Sequence, residues 1–318
     1  MSLLDYSKTY KPFKYPWAMQ IAKDHENQLH WHEGEANCSP DVDQWKSGKI
    51  ASWEKNHITQ ILRLFTQSDQ QVASNYCDLF IPKFKNNEIR SMLISFAARE
   101  GIHQRAYSLL NDTLGLPEEE YSAFLEYSEM ANKIEFMQDN DTSTLKGLGL
   151  ALAQTVCNEG MSLFSAFIML LNYQRTGKMQ GMCEVVLWSI VDESCHVDGM
   201  TRLFRTFCEE HPRIVNNDFK KSIYDMYRTA VSLEDKLIDL AYEMGEPDNL
   251  SKQEVKDYMR FLANRRLTGL GLKEIWDVPN NPCPWFDWLV NGSSLGNFFE
   301  TKVTDYSSEG LIGDEWGY

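Results

Sequence analysis

The chain has 318 residues, 43% hydrophobic and 24% charged, enough to bury a substantial core as one large domain or two ordinary ones. Its formal charge of −15 argues against non-specific nucleic-acid binding, which needs a basic face. No apolar run approaches the ~20 residues of a membrane span. Seven cysteines without paired spacing predict reduced thiols. The N-terminus, Met-Ser-Leu-Leu-Asp-Tyr-Ser-Lys, lacks the charged-then-apolar order of a signal peptide, so a cytoplasmic protein is expected.

Residues 1–20, rich in Tyr, Lys and Pro, read as an irregular lead-in, followed by a helix through Ala18 to Trp31 and a loop from His32 to Pro40. By composition Trp31 is a core aromatic. From Ser52 to Asn75, Ile58, Ile61, Leu62, Leu64 and Phe65 recur at helical spacing, with Asp69 further along, where an acid is ordinarily solvent-exposed. A largely buried helix spans Asn87 to Leu114 and stops at Gly115 and Pro117. The acidic turn Pro117 to Tyr121 opens another, ending near Asp139. From Thr142 or Ser143 to about Thr176 the chain is apolar nearly all round, which predicts one central helix with Glu159 as a single carboxylate inside it. Helices over Met182–Cys208, Ile214–Tyr242 and Lys252–Leu270 follow. No strand-like alternation appears, so the fold class is all-α. Beyond Leu272 the pattern turns irregular. The low apolar content from Asn291 predicts a helical domain over 1–290 and a flexible tail over 291–318.

Within the second long helix, Glu100-Gly-Ile-His103-Gln-Arg-Ala-Tyr107 places a carboxylate, an imidazole and a phenol on one face in successive turns. A buried, unpaired carboxylate costs several kcal/mol, so this face needs a strong partner. Glu-x-x-His on inward-facing helices is the pattern of ferritin-like bundles that hold two iron or manganese ions. The motif alone is weak and occurs three times. Glu54-Lys-Asn-His57 sits in a helix's first turn and reads as an exposed pair that binds no metal. Asp192-Glu193-Ser-Cys-His196, in contrast, lies inside a long apolar helix. Together with Asp69 and Glu159 the set is Asp69, Glu100, His103, Glu159, Glu193 and His196: four carboxylates and two imidazoles on four helices. Four negative charges neutralise two divalent cations, and oxygen-rich ligation suits iron or manganese over structural zinc.

At these residues the chain resembles the small, radical-generating subunit of class I ribonucleotide reductase. Phe65-Thr-Gln-Ser-Asp69, Glu100 to Tyr107, Asn158-Glu159, Asp192 to His196, Pro282-Cys-Pro-Trp-Phe-Asp-Trp-Leu and Glu300 to Tyr306 carry the resemblance, which runs from about Trp31 into the tail. It implies that Asp69, Glu100 and His103 hold the metal nearer the phenol and that Glu159, Glu193 and His196 hold the second. Di-iron is the first assignment; dimanganese and manganese–iron pairs use the same donors. It further implies that Tyr107 is oxidised to a stable radical in an apolar pocket of Leu163, Phe167 and Ile190. The oxidising equivalent then leaves through His103, Asp192 and Trp31, and Tyr306 in the tail carries it to a large catalytic subunit that reduces ribonucleotides to deoxyribonucleotides. The last residues, Trp316 to Tyr318, would dock on that subunit. A homodimer is implied, and a flavoprotein activase belongs to part of the family. The rival readings are an oxidase on the same scaffold, which needs a substrate cavity, a ferritin-like storage shell, and a purely structural bundle.

Overall fold

The computed structural model describes residues 2–28, 31–138 and 140–290, and the regular elements among them are all helical. They are α1 (Pro16–Gln28), α2 (Ser39–Ser47), α3 (Ser52–Ser74), α4 (Asn87–Leu114), α5 (Glu120–Ala123), α6 (Ser128–Gln138), α7 (Leu145–Cys157), α8 (Phe164–Leu171), α9 (Gln180–Glu210), α10 (Asn217–Ala241) and α11 (Lys252–Gly269). No described helix is long and apolar enough to cross a membrane, and the seven cysteines are free thiols. α4 starts where the Asn86 side chain accepts from the backbone N–H groups of Glu88 and Ile89. It stops at Gly115, whose φ of 73° places it in the left-handed region open to glycine. α3 packs on α4, and α9 packs on α4, α7 and α8, which gives the bundle its centre.

The expected single helix over 142–176 is interrupted. A π-helical turn, Asn158–Ser162, separates α7 from α8, with the Leu163 amide donating to the Asn158 carbonyl at 3.0 Å. A second π-helical turn, Asn75–Phe80, ends α3. Each wide turn inserts a residue and turns the following side chains to another face. Two cations take up carbonyls of the 158–162 turn. Arg266 Nε donates to Gly160 O at 2.8 Å and Lys133 Nζ to Ser162 O at 2.9 Å. Lys133 is buried and also pairs with Glu234 at 2.9 Å, whose other oxygen accepts from Ser165 Oγ at 2.6 Å. Lys133→Met strands the Glu234 carboxylate in the core, and we expect it to cost about 3–5 kcal/mol. Urea unfolding checks this; a loss below 1 kcal/mol would mean that Glu234 finds another partner.

Three further expectations need correction. The loop over His32 to Pro40 gives way to α2 at Ser39, with Pro40 in its first turn, and the buried Asp41 carboxylate on α2 accepts from the Gly181 and Met182 amides and caps α9. The helix expected from Pro117 to Asp139 breaks at Tyr127, whose backbone is extended. Residues 284–290, read as irregular, are helical.

Candidate metal centre

α3 supplies Asp69, α4 supplies Glu100, His103 and Tyr107, the 158–162 turn supplies Glu159, and α9 supplies Asp192, Glu193 and His196. All of these side chains are buried. Glu100, Glu159, Glu193 and His196 each offer a donor atom within 4.8 Å of the others. His196 Nδ1 lies 3.1 Å from Glu100 Oε1, 3.5 Å from Glu193 Oε2 and 3.5 Å from Glu159 Oε2. His103 Nδ1 lies 3.6 Å from Glu100 Oε2 and 3.4 Å from Glu193 Oε1. Glu100 and Glu193 therefore each turn one oxygen towards each imidazole. Asp69 and His103 border the four-residue cluster, and the charges acting on Asp69 are those of His103, Glu100, Glu193 and Glu159.

The donor atoms are short of partners in a way that fits cations. Both carboxylate oxygens of Asp69 are buried without a hydrogen bond, and those of Glu100 and Glu193 face no donor but the Nδ1 atoms of His103 and His196. Leaving so many buried polar atoms unsatisfied is costly unless something else binds them. Burial pushes the Asp69 carboxyl well above its ordinary range and Glu159 up to about 8, with neighbouring carboxylates adding to both. Burial alone would lower the two imidazoles, yet the acids around them raise both well above the usual histidine value. In the metal-free chain, protons on His103 and His196 supply part of the positive charge that two divalent ions would bring.

Both imidazoles present Nδ1 to the cluster and Nε2 outward. His103 Nε2 lies 3.1 Å from Asp192 Oδ2, and the same oxygen accepts from the Trp31 indole N–H at 2.9 Å. The Trp31 ring stacks on His103, with centroids 5.7 Å apart. These contacts bring together the three residues expected on the outward path. Tyr107 is fully buried, and burial raises its phenol well above the ordinary value. Its hydroxyl donates to Ser189 Oγ at 3.1 Å, and its ring lies 4.3 Å from Phe65. Phe167 packs on Phe65 at 5.1 Å, and Leu163 and Ile190 are buried in the same core. The hydroxyl thus meets a serine, which an all-apolar pocket did not foresee.

Three more polar residues escaped the sequence reading. Tyr76, in the π-helical turn that follows α3, donates to Glu159 Oε2 at 2.7 Å. Arg99 Nε lies 3.4 Å from Asp192 Oδ1. His25, on α1, sits 3.4 Å from that oxygen and 3.2 Å from His196 Nε2, and burial lowers its imidazole to about 4. None carries a local pattern, since each acts across a long sequence separation. The Glu54–His57 pair is buried, not exposed: Lys178 Nζ reaches Glu54 at 2.7 Å and Tyr173 Oη lies 3.0 Å from His57 Nδ1. Tyr306, Trp316 to Tyr318 and the tail expected over 291–318 lie outside the described residues.

The family model for "Ribonucleotide reductase, small chain" matches residues 7–283. The "probable ribonucleoside-diphosphate reductase small subunit 048L" of Invertebrate iridescent virus 3 is 38% identical, over 96% of this chain and 86% of its own. The ribonucleoside-diphosphate reductase subunit beta of Chlamydia pneumoniae is 28% identical, over 95% of this chain and 90% of its own. Among solved structures, the ribonucleotide reductase R2 subunit of Clostridium botulinum superposes with a TM-score of 0.84 at 19% identity, covering 91% of this chain and 94% of that one. The dimanganese(II) NrdF of Streptococcus sanguinis superposes with a TM-score of 0.74 at 19% identity, covering 86% and 94%. These two share the all-α, ferritin-like fold with this chain. With its buried glutamate–histidine cluster and a family match over most of its length, the chain belongs to the ribonucleotide reductase small chains, a family of oxidoreductase subunits.

Proposed function

We propose that Asp69, Glu100, His103, Glu159, Glu193 and His196 hold two metal ions, and that this centre generates a radical on Tyr107 for a large catalytic subunit that reduces ribonucleoside diphosphates. The observation that carries the reading is the pair of carboxylates, Glu100 and Glu193, each shared between the two inward-facing Nδ1 atoms. One shared carboxylate fits one or two ions; two, between imidazoles on separate helices, fit a pair. The chemistry a bound iron or manganese pair supplies is one-electron oxidation driven by dioxygen or a related oxidant.

The chain's own residues do the rest. Ser189 Oγ accepts the Tyr107 hydroxyl, while its own proton goes to Val185 O at 3.1 Å, so the phenol is held in one orientation. Phe65 and the buried apolar side chains around it keep water from the ring. Asp192 accepts from both Trp31 and His103 and so fixes the imidazole tautomer that leaves Nδ1 free for metal. From Trp31 the oxidising equivalent passes to Tyr306 and then to the large subunit. The family also supports a homodimer; one superposable structure is the Rnr4 homodimer of Saccharomyces cerevisiae.

Ending the chain after Thr301 is expected to leave metal content and the radical signal unchanged and to bring turnover with the large subunit to background. Paramagnetic resonance and nucleotide-reduction assays on the same preparation check both halves. Continued turnover would remove the tail from the pathway.

A further inference from the structure

The outer nitrogen of His103 has Asp192; the outer nitrogen of His196 meets another histidine. His196 Nε2 lies 3.2 Å from His25 Nε2, both side chains being buried. A metal on His196 Nδ1 requires the proton on Nε2, so Nε2 must donate, and a neutral His25 can accept through its own Nε2 lone pair. His25 Nδ1 then carries the proton and faces Ser95 Oγ at 3.4 Å, and Ser95 Oγ donates to the Met92 carbonyl at 2.8 Å. In this order each hydrogen along the row has an acceptor, the row ends on a backbone carbonyl of α4, and Asp192 Oδ1, 3.4 Å from His25 Nε2, takes its positive partner from Arg99 at 3.4 Å. The rings are also held sideways. Phe96 lies edge-on to His25 with centroids 5.2 Å apart and 4.5 Å from His196.

We propose that His25 is the positioning residue for the second metal: it fixes the tautomer and ring orientation of His196 as Asp192 does for His103. The inference rests on the reading of the cluster as a two-metal centre. It adds that the two ions are held by different outer partners, a carboxylate on α9 and an imidazole on α1. Losing an outer partner of a ligand histidine typically weakens metal binding about 10–100-fold. The loss here falls mainly on the ion at His196, because Asp192, which His25 Nε2 also approaches at 3.4 Å, keeps Trp31 and Arg99 when His25 is removed.

The test uses the full chain and Mn(II), added without oxygen and counted as free ion by its paramagnetic resonance, with thermal unfolding of each metal-free variant alongside. The unaltered chain is expected to bind two ions. His25→Ala is expected to bind one ion with little change in affinity and the other at least about tenfold more weakly. His25→Gln, whose amide oxygen can accept from His196 Nε2, is expected to recover most of that loss. In a chain already carrying His196→Ala, His25→Ala is expected to add nothing, because the two act on one site. Equal weakening of both ions, unchanged binding in His25→Ala, or full additivity with His196→Ala would overturn the proposal. A chain with His25 intact that binds no Mn(II) would sink the two-metal reading itself and this inference with it.

Discussion

Tyr107→Phe is expected to keep both metals and lose the organic radical and all nucleotide reduction. The ring is fully buried, and the hydroxyl makes one hydrogen bond, to Ser189 Oγ. Phe fills the same space, and Ser189 keeps its bond to Val185 O, so no buried donor is stranded. The change should cost about 1 kcal/mol of stability, within what the fold tolerates. The metal donors lie on other side chains and should bind as before. What disappears is the phenol, the group from which an electron and a proton can be taken together. The measurement is paramagnetic resonance on protein matured with iron and, separately, with manganese, with metal quantified in the same sample. A full-strength organic radical in the variant would place the radical elsewhere.

Glu193→Ala is expected to reduce metal content from two ions per chain to at most one. This carboxylate turns an oxygen to each imidazole, 3.4 Å from His103 Nδ1 and 3.5 Å from His196 Nδ1, so both ions lose a donor at once. Two ions retained in Glu193→Ala would count against the donor set.

Much of this site was legible because helical periodicity is local. Glu100, His103 and Tyr107 share a face by spacing alone, and a lone Glu159 or a Glu193–His196 pair inside apolar runs has few uses other than a buried site. The π-helical turn at Glu159 was not legible: the inserted residue leaves the apolar run unbroken, and only the backbone shows that the chain widens there. Tyr76, Ser189 and His25 were missed for a related reason. Each matters through one contact with a distant residue, and a tyrosine, serine or histidine on a helix has no signature of its own. Glu54 and His57 were misread because a first helical turn is usually wet; here Lys178 and Tyr173, far along the chain, cover it. Trp31 reads as a core aromatic until Asp192 is seen to hold its indole.

Glu100 and Glu193 are proposed to serve two metal ions, one held at His103 and one at His196. A crystal of the full chain loaded with Mn(II), measured for anomalous scattering, tests it most directly. Two peaks are expected, one at each Nδ1, with both glutamates reaching across them and Tyr107 on the His103 side. A single peak, no peak, or ions bound elsewhere on the chain would contradict the account.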